Sequence, residues 1–372
     1  MGQCGRQVEM LHVVTADNIG RTRRTLGTVL LWGSLALLGL VALAQAVQST
    51  GATNLGFLNW RPTLYAYLGF SICLCIAQVL KGGEHGKRSL FILPPLMFVL
   101  SLAIIPLIFG LVLAFSDWNL ASAEGRRFNG LANVRQLVSD QFFWNSMGNM
   151  VWYCLAILPE FVIAFGLALM LNSQIRAQKF FRVAFLLPLM LSPVAVSWMI
   201  GKSMFVTQPA GPVVYFLQFL GLDRPTFYSS PWVARLIVMM LDAWIFIPFM
   251  MIMILAGLQA IPKELQEAAR VDGAKGWSAF WEVTFPLMLP VSITTLLIRI
   301  IFKLKLADLV ITLTAGGPGG ATDSVTSFIY REYRERSNVG YGTLLAFVYL
   351  IVIVIIMTAL TKFADRATRL RS

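Results

Sequence analysis

Residues 267–290 read EAARVDGAKGWSAFWEVTFPLMLP, a partly charged segment between two strongly apolar stretches. Pro262 suits the first turn of a helix, and the acidic residues that follow it place negative charge near the positive end of that helix. Gly273 can adopt the left-handed conformation that ends a helix, and aromatic residues then recur at helical spacing until Pro286. The segment therefore predicts two short helices joined by a glycine and exposed to a partner protein.

The composition is typical of an integral membrane protein. Hydrophobic residues make up 57% of the 372 residues, 13% are charged, and the mean hydropathy is +0.72. Continuous apolar runs of about 20 residues are long enough to cross a bilayer as helices, and they do not alternate as membrane strands would. We therefore predict an all-α fold with eight transmembrane spans, at residues 26–48, 62–80, 89–115, 147–172, 180–206, 233–258, 286–312 and 341–363.

Lysine and arginine residues indicate the orientation of the spans, because basic loops stay on the cytoplasmic side. One set of segments carries 17 of these residues and the opposite set carries 8. The richer set includes both termini and the segment around Glu267, so all three are predicted to be cytoplasmic. The formal net charge of +12 follows this distribution, and we predict no nucleic-acid partner.

The sequence contains no recognisable catalytic machinery. It has no G-x-x-x-x-G-K-[ST] phosphate loop, and its two histidines, His12 and His85, lie in or beside cytoplasmic segments. No nucleophile and base are paired, and the four cysteines have neither a disulfide framework nor zinc-site spacing. We therefore predict no catalytic residue, no metal site and no cofactor in this chain.

A spaced motif in the same segment gives the first family assignment. The pattern comprises Glu267, Ala268, Ala269, Gly273, Val283, Phe285 and Pro286. It resembles the E-A-A signature of the membrane subunits of bacterial ATP-binding-cassette (ABC) importers. The runs LAGLQAIPKEL at 255–265 and LTAGGPGG at 313–320 resemble the carbohydrate-import branch, with its maltose-type and glycerol-phosphate-type permeases.

This resemblance implies a domain organisation. Residues 89–372 would form a type I ABC importer transmembrane domain with a cytoplasmic coupling loop at 259–285. A cytoplasmic tail at 1–24 and an accessory helical hairpin at 25–88 would precede it. The bacterial cytoplasmic membrane would be the location.

The resemblance also implies a function and partners. The chain would be a permease subunit that forms half of the pathway for a sugar or sugar-derived solute and works by alternating access. A second permease subunit in a heterodimer, two ATPase subunits that bind ATP and Mg, and a periplasmic or extracellular solute-binding protein would complete the importer. The implied ATPase-coupling residues are Glu267, Ala268, Ala269, Arg270, Asp272 and Gly273.

Three alternatives remain open at this stage. The solute could be anionic, such as a glycerol phosphate, a sugar acid or a sulfonated sugar. The chain could instead be a membrane scaffold or receptor that transports nothing, or a secondary transporter driven by an ion gradient.

Charged residues inside membrane spans are costly and indicate functional positions. They are Glu160, Lys202, Arg235, Asp242, Arg299, Lys303, Lys305 and Asp308. Helical spacing places Arg299 and Lys303 on one face, where they would meet an anionic solute group or pair with Asp242 or Glu160. With Asp242 and Trp244 they form the predicted solute pathway.

Two further expectations concern neighbouring parts of the chain. Lys305 and Asp308 are predicted to form a structural ion pair. The segment from Asp117 to Trp144 is predicted to form a short helix on the outer surface, where it could meet the solute-binding protein.

Overall fold

Helices form most of the described chain, because long apolar segments in a bilayer must satisfy their own backbone hydrogen bonds. The computed structural model describes residues 21–49, 61–123, 125–173, 176, 178–223, 225–274 and 276–369. In chain order the helices are α1 (Arg21–Ser49), α2 (Arg61–Ala114), α3 (Ala132–Ser139), α4 (Gln141–Leu155), α5 (Ile157–Asn172), α6 (Gln178–Leu186), α7 (Pro193–Val196), α8 (Ser203–Phe205), α9 (Pro212–Phe219), α10 (Pro231–Ala260), α11 (Lys263–Val271), α12 (Trp277–Ala279), α13 (Phe285–Leu304), α14 (Asp308–Leu313), α15 (Val325–Arg334) and α16 (Val339–Arg369).

The remaining elements are short. A 3₁₀ turn covers Leu187–Met190, and π turns cover Ser197–Lys202 and Phe280–Thr284. The strands β1 (Ser116–Asp117) and β2 (Arg127–Phe128) pair antiparallel, with Ser116 opposite Phe128. With α3 they form the segment that follows the third span, so the short helix predicted there is confirmed.

The described residues contain seven helical stretches long and apolar enough to cross a membrane. They are Thr22–Gln45, Arg61–Gly82, Phe91–Ala114, Gln141–Asn172, Pro231–Ala260, Trp277–Leu304 and Val339–Arg366. The pair Gln178–Met190 and Pro193–Phe205, bent by 92°, makes an eighth if it is one broken span. The prediction of an eight-span helical protein agrees with this count.

The helical segment α2 contains two of these spans and turns back on itself. The hydroxyl of Tyr67 donates to the carbonyl of Met97, which lies 30 residues later in the sequence. On a straight helix these residues would be roughly 45 Å apart. The two spans therefore form an antiparallel hairpin.

The span that carries Arg299 differs from its prediction at both ends. The span begins at Trp277, because the helix continues from there through the π turn and past Pro286. The π turn lies directly before α13 and accommodates Pro286. The span ends at Leu304, whose carbonyl accepts hydrogen bonds from Tyr349 at 2.7 Å and Thr326 at 3.1 Å. The second short helix of the coupling segment was therefore predicted wrongly, since it is the first turns of this span.

The chain divides into two compact units. One ends at Phe109 and the other begins at Gly110. This boundary lies inside the third span, Phe91–Ala114, most of which belongs to the same unit as the second span.

The second unit has two clusters of buried apolar side chains. One joins α5, α10 and the start of α13, and its centre includes Ala164, Met250 and Met288. The other joins α4, α10, α15 and α16. Gly257 lets α10 approach α13 closely, because a Cβ there would lie 2.8 Å from the Met288 side chain. Along α5 and α13, charged residues lie between the two clusters.

Candidate functional site

The coupling segment forms the exposed helix that the sequence predicted. In α11, Glu267 and Ala268 are exposed, Ala269 is half-buried and Val271 is 87% exposed. Gly273 has φ of +86° and directly follows the exposed Asp272. The predicted helix with a left-handed glycine after it is confirmed. The side chain of Arg270 and the whole of Lys275 lie outside the described residues.

The exposed carboxylates of this segment make no ion pair within the described part of the chain. Glu264, Glu267 and Asp272 are all exposed, and none of them is in an ion pair there. A helix whose apolar residues and carboxylates are both left uncovered has the composition of a docking surface.

Aromatic rings connect the coupling segment to the membrane helices. The ring of Trp277 stacks on Phe280 with a centroid distance of 5.7 Å. Phe280 meets Phe165 of α5 edge to face at 5.5 Å, and Phe285 packs beside both rings. Each such pair adds about 0.5–1.5 kcal/mol beyond the burial of its area. These contacts join the end of the coupling segment to α5 and to the start of α13.

Four charged side chains form a closed cluster inside the helical core. Glu160 comes from α5, Asp242 from α10, and Arg299 and Lys303 from α13, and each is at most 2% exposed. The Nε of Arg299 donates to Glu160 Oε2 at 2.9 Å, and Lys303 Nζ donates to Glu160 Oε1 at 2.8 Å. Both cations also pair with Asp242 Oδ2. The cluster joins three helices.

This cluster is electrically balanced, since two cations face two carboxylates. The guanidinium of Arg299 also lies 4.5 Å from the ring centre of Phe246, which covers its face. Only its Nη1 has no hydrogen-bond partner. Of the two arrangements that the sequence left open, the structure shows Arg299 and Lys303 paired with Asp242 and Glu160.

Not all of the predicted pathway residues come together. Asp242 reaches the wall of a cavity of about 250 Å³, which Phe246 and Phe302 also line. Arg299 and Lys303 are buried behind this wall. Trp244 is 40% exposed and does not line this cavity.

The predicted ion pair between Lys305 and Asp308 is not formed in the described chain. Both side chains are exposed and line the same 250 Å³ cavity. The prediction assumed a helix running through both residues, but α13 ends at Leu304 and α14 begins at Asp308. The helical spacing that would bring them together is therefore lost.

The glycine-rich run at 313–320 forms a tight loop held by α4. Asn145 donates to the Gly320 carbonyl at 2.7 Å, and Tyr153 donates to the Thr322 carbonyl at 2.6 Å. Gly316 has φ of +82°, and an added Cβ would lie 2.3 Å from Asp323 Oδ1. Only glycine fits this close approach.

The sequence did not single out the residues of α4 that hold this loop. Asn145 and Tyr153 lie in an apolar helix, and their partners are backbone carbonyls about 170 residues away, so no local pattern marks them. Asp323, which pairs with Arg331 and accepts from Ser327 at 3.0 Å, was also missed. In the sequence, an acidic residue three positions after the glycine-rich run is the signal that could have indicated it.

Comparisons with known proteins agree with this geometry. The family described as binding-protein-dependent transport system inner membrane component matches residues 142–370. The trehalose/maltose transport system permease protein of Thermococcus litoralis is 31% identical over 292 residues, covering 77% of this chain and 98% of that protein. The sulfoquinovosyl glycerol transport system permease protein of Agrobacterium fabrum is 33% identical over 269 residues, covering 71% of this chain and 87% of that protein.

A solved structure shares the fold. It is a bacterial alginate ABC transporter in complex with an alginate pentasaccharide-bound periplasmic protein. The match has a TM-score of 0.66 at 22% identity and covers 83% of this chain and 98% of the other. At this identity the likeness is one of fold.

Proposed function

The chain belongs to the family of binding-protein-dependent transport system inner membrane components, and we propose that it forms half of the translocation pathway of an ATP-driven importer for a sugar or sugar-derived solute. The resemblance to ABC importer permeases and the predicted type I fold are confirmed by the family match and the shared fold.

The exposed coupling helix α11 is the observation that carries this proposal. Its carboxylates are exposed and make no ion pair in the described chain. The aromatic residues that follow it in the coupling segment pack against Phe165 of α5. An ATPase subunit that binds this helix would move α5 and α13 whenever it closes. Alternating access follows if that movement shifts the balance between two packings of the helices.

The proposed assembly contains a second, different permease subunit, two ATPase subunits and an external solute-binding protein. ATP and Mg are bound by the ATPase subunits, with Glu267 facing a basic residue of one of them. The family description supports the binding protein, and the alginate transporter structure contains a periplasmic protein. The location is the bacterial cytoplasmic membrane, with both termini and α11 on the cytoplasmic side.

A saccharide solute is supported by the relatives. Those compared above are named for trehalose and maltose, for sulfoquinovosyl glycerol and for alginate. In the present chain the pathway runs past Asp242, whose cavity combines a carboxylate with the aromatic rings of Phe246 and Phe302. Aromatic faces pack well on the apolar face of a sugar ring.

The closed charge cluster gives Arg299 and Lys303 a positioning role in this pathway. They hold α13 to α5 and α10 directly behind the cavity wall. Because both are already paired, an anionic solute is not required to neutralise them.

The proposal is tested by ATP-dependent uptake of labelled maltose and glucuronate into proteoliposomes containing the complete complex. Glu267→Lys is expected to lower uptake by more than about tenfold, because reversing a paired interface charge costs about 2–5 kcal/mol. Asp223→Lys, an equal charge reversal on an exposed loop at the other ends of the spans, is the matched control and is expected to keep uptake.

Two results would contradict this function. ATPase binding without any uptake would indicate a scaffold. Uptake that follows an ion gradient and ignores ATP would indicate a secondary transporter.

A further inference from the structure

A second cavity lies at the ends of the spans opposite the coupling helix. Its volume is about 380 Å³, which is within the roughly 300–1,000 Å³ range of small-molecule sites. The end of the broken span, the segment before α10 and the glycine-rich loop after α14 form its walls. Its lining includes Lys202, Phe205, Thr207, Tyr228, Thr314 and Pro318.

Lys202 gives this cavity a positive charge. Its Nζ lies 4.0 Å from the ring centre of Trp198, one turn earlier in the same segment. Within the described residues it pairs with no carboxylate. The contact with the Trp198 ring leaves N–H donors of the ammonium free to bind an anion.

Lys202 therefore differs from the cations of the buried cluster. Arg299 and Lys303 each contact both Glu160 and Asp242, so their charge is neutralised inside the protein. The anionic-solute hypothesis rested on those two cations when only the sequence was considered. In the structure, Lys202 is the better candidate to bind an anionic solute, because it has no carboxylate partner among the described residues.

The hydroxyl groups of the cavity are arranged as acceptors. Tyr228 donates to the Gly201 carbonyl at 2.7 Å, and Thr207 donates to the Pro225 carbonyl at 3.4 Å. Burial raises the pKa of Tyr228 to about 12, so its hydroxyl stays protonated and its proton remains on this bond. The lone pairs of both oxygens can then accept hydrogen bonds from sugar hydroxyls.

We propose that this cavity is an outer binding site for an acidic sugar, with Lys202 binding the carboxylate, sulfonate or phosphate and the hydroxyls of Thr207 and Tyr228 accepting from the ring hydroxyls. Phe205 supplies an apolar surface for the ring. This inference rests on the proposed importer function and specifies its solute class.

The test measures binding to the purified full-length chain in phosphatidylcholine nanodiscs, by equilibrium dialysis with labelled glucuronate and labelled glucose. Wild-type protein is expected to bind glucuronate about tenfold or more tightly than glucose, as one charged hydrogen bond would give. Lys202→Gln removes this preference and Lys202→Arg retains it. Lys179→Gln, the same charge change at the other end of the broken span, leaves it unaltered.

Thermal unfolding of each variant shows whether the fold is intact, and Lys202→Arg keeps the test decisive if Lys202→Gln does not fold. Equal affinity for the two sugars, no binding of either, or a preference that survives Lys202→Gln would each overturn the proposal. The assay needs no ATPase, so its failure would leave ATP-dependent uptake untouched. If the protein binds glucuronate but the complete complex shows no uptake, the importer function is contradicted and the binding site is not.

Discussion

Glu160 and Lys303 show what single charged residues do in this core. Each is almost completely buried, and each is stabilised by a partner of opposite charge on another helix. Removing one partner leaves an uncompensated buried charge, whereas removing a balanced pair does not. The cluster therefore makes the three helices interdependent.

Glu160→Gln is expected to destabilise the protein by about 3–5 kcal/mol, because one carboxylate would then face two buried cations. The double variant Glu160→Gln with Lys303→Met restores charge balance and is expected to recover most of that loss. Thermal unfolding in detergent measures both. Equal destabilisation by the single and double variants would show that the cluster's charge balance is unimportant.

Asp323 provides a pH-dependent contribution to stability. Burial raises the pKa of Asp323 to about 6, against the opposing effects of Arg331 and Ser327. The folded protein therefore binds the Asp323 proton more tightly than the unfolded chain does, whose Asp pKa is about 3.8. The stabilisation of the folded state by this proton is complete below pH 3.8 and is lost as the pH rises through 6.

Raising the pH from 5 to 7 is therefore expected to lower the unfolding temperature. Asp323→Asn should reduce the dependence of the unfolding temperature on pH. Burial also raises the pKa of Glu332, so Glu332 should account for a further part of this dependence. Thermal scans at several pH values check this. An unchanged slope in Asp323→Asn would contradict the assignment.

The sequence predicted the relation between two residues correctly when both lie on the same helix. Arg299 and Lys303 share a face because they are one helical turn apart. Their partners depend on how α5 and α10 pack against α13, which no local pattern specifies. The ion pair predicted between Lys305 and Asp308 is wrong because α13 ends at Leu304. The carbonyl of Leu304 accepts hydrogen bonds from Thr326 and Tyr349, which lie on distant helices.

At the scale of elements, the coupling segment was predictable because its signals are local. Pro262, an acidic residue in the first turn and a glycine after the last turn are the sequence signals that predicted α11 and Gly273. The extension of α13 back to Trp277 was not predictable in this way. A proline normally ends a helix, and the π turn that tolerates Pro286 has no simple sequence signature.

Gly273→Val is expected to strain the turn after α11, since a β-branched residue at φ of +86° costs about 1–3 kcal/mol. The exposed helix should then be misplaced, and ATP-dependent uptake should fall more than the unfolding temperature of the subunit. Gly166→Ala is the matched control, because an added Cβ there meets nothing within 4 Å. Unchanged uptake in Gly273→Val would contradict a coupling role for this turn.

At the scale of the whole molecule, span number and helical class follow from hydropathy. The thickness of the bilayer sets the length of each apolar segment that crosses it. The spans can therefore be counted from a single sequence. The division into two compact units depends on how one span packs against another, which is a tertiary property that hydropathy does not reveal. The bent pair Gln178–Met190 and Pro193–Phe205 lies within the one span predicted at 180–206.

In the assembled transporter, α11 is expected to bind a cytoplasmic ATPase. Ala268→Cys in the complete complex is expected to cross-link to the ATPase subunit through a short bifunctional thiol reagent. Asp223→Cys, on an exposed loop at the other ends of the spans, and the parent chain with its natural cysteines serve as controls that should not cross-link.

In intact cells a membrane-impermeant thiol reagent should label Asp223→Cys and leave Ala268→Cys unlabelled. Cross-linking of Ala268→Cys to the ATPase, with no labelling from outside, is the result that this account predicts. Labelling of Ala268→Cys from the cell exterior, or a complete complex in which it does not cross-link to the ATPase, would contradict it.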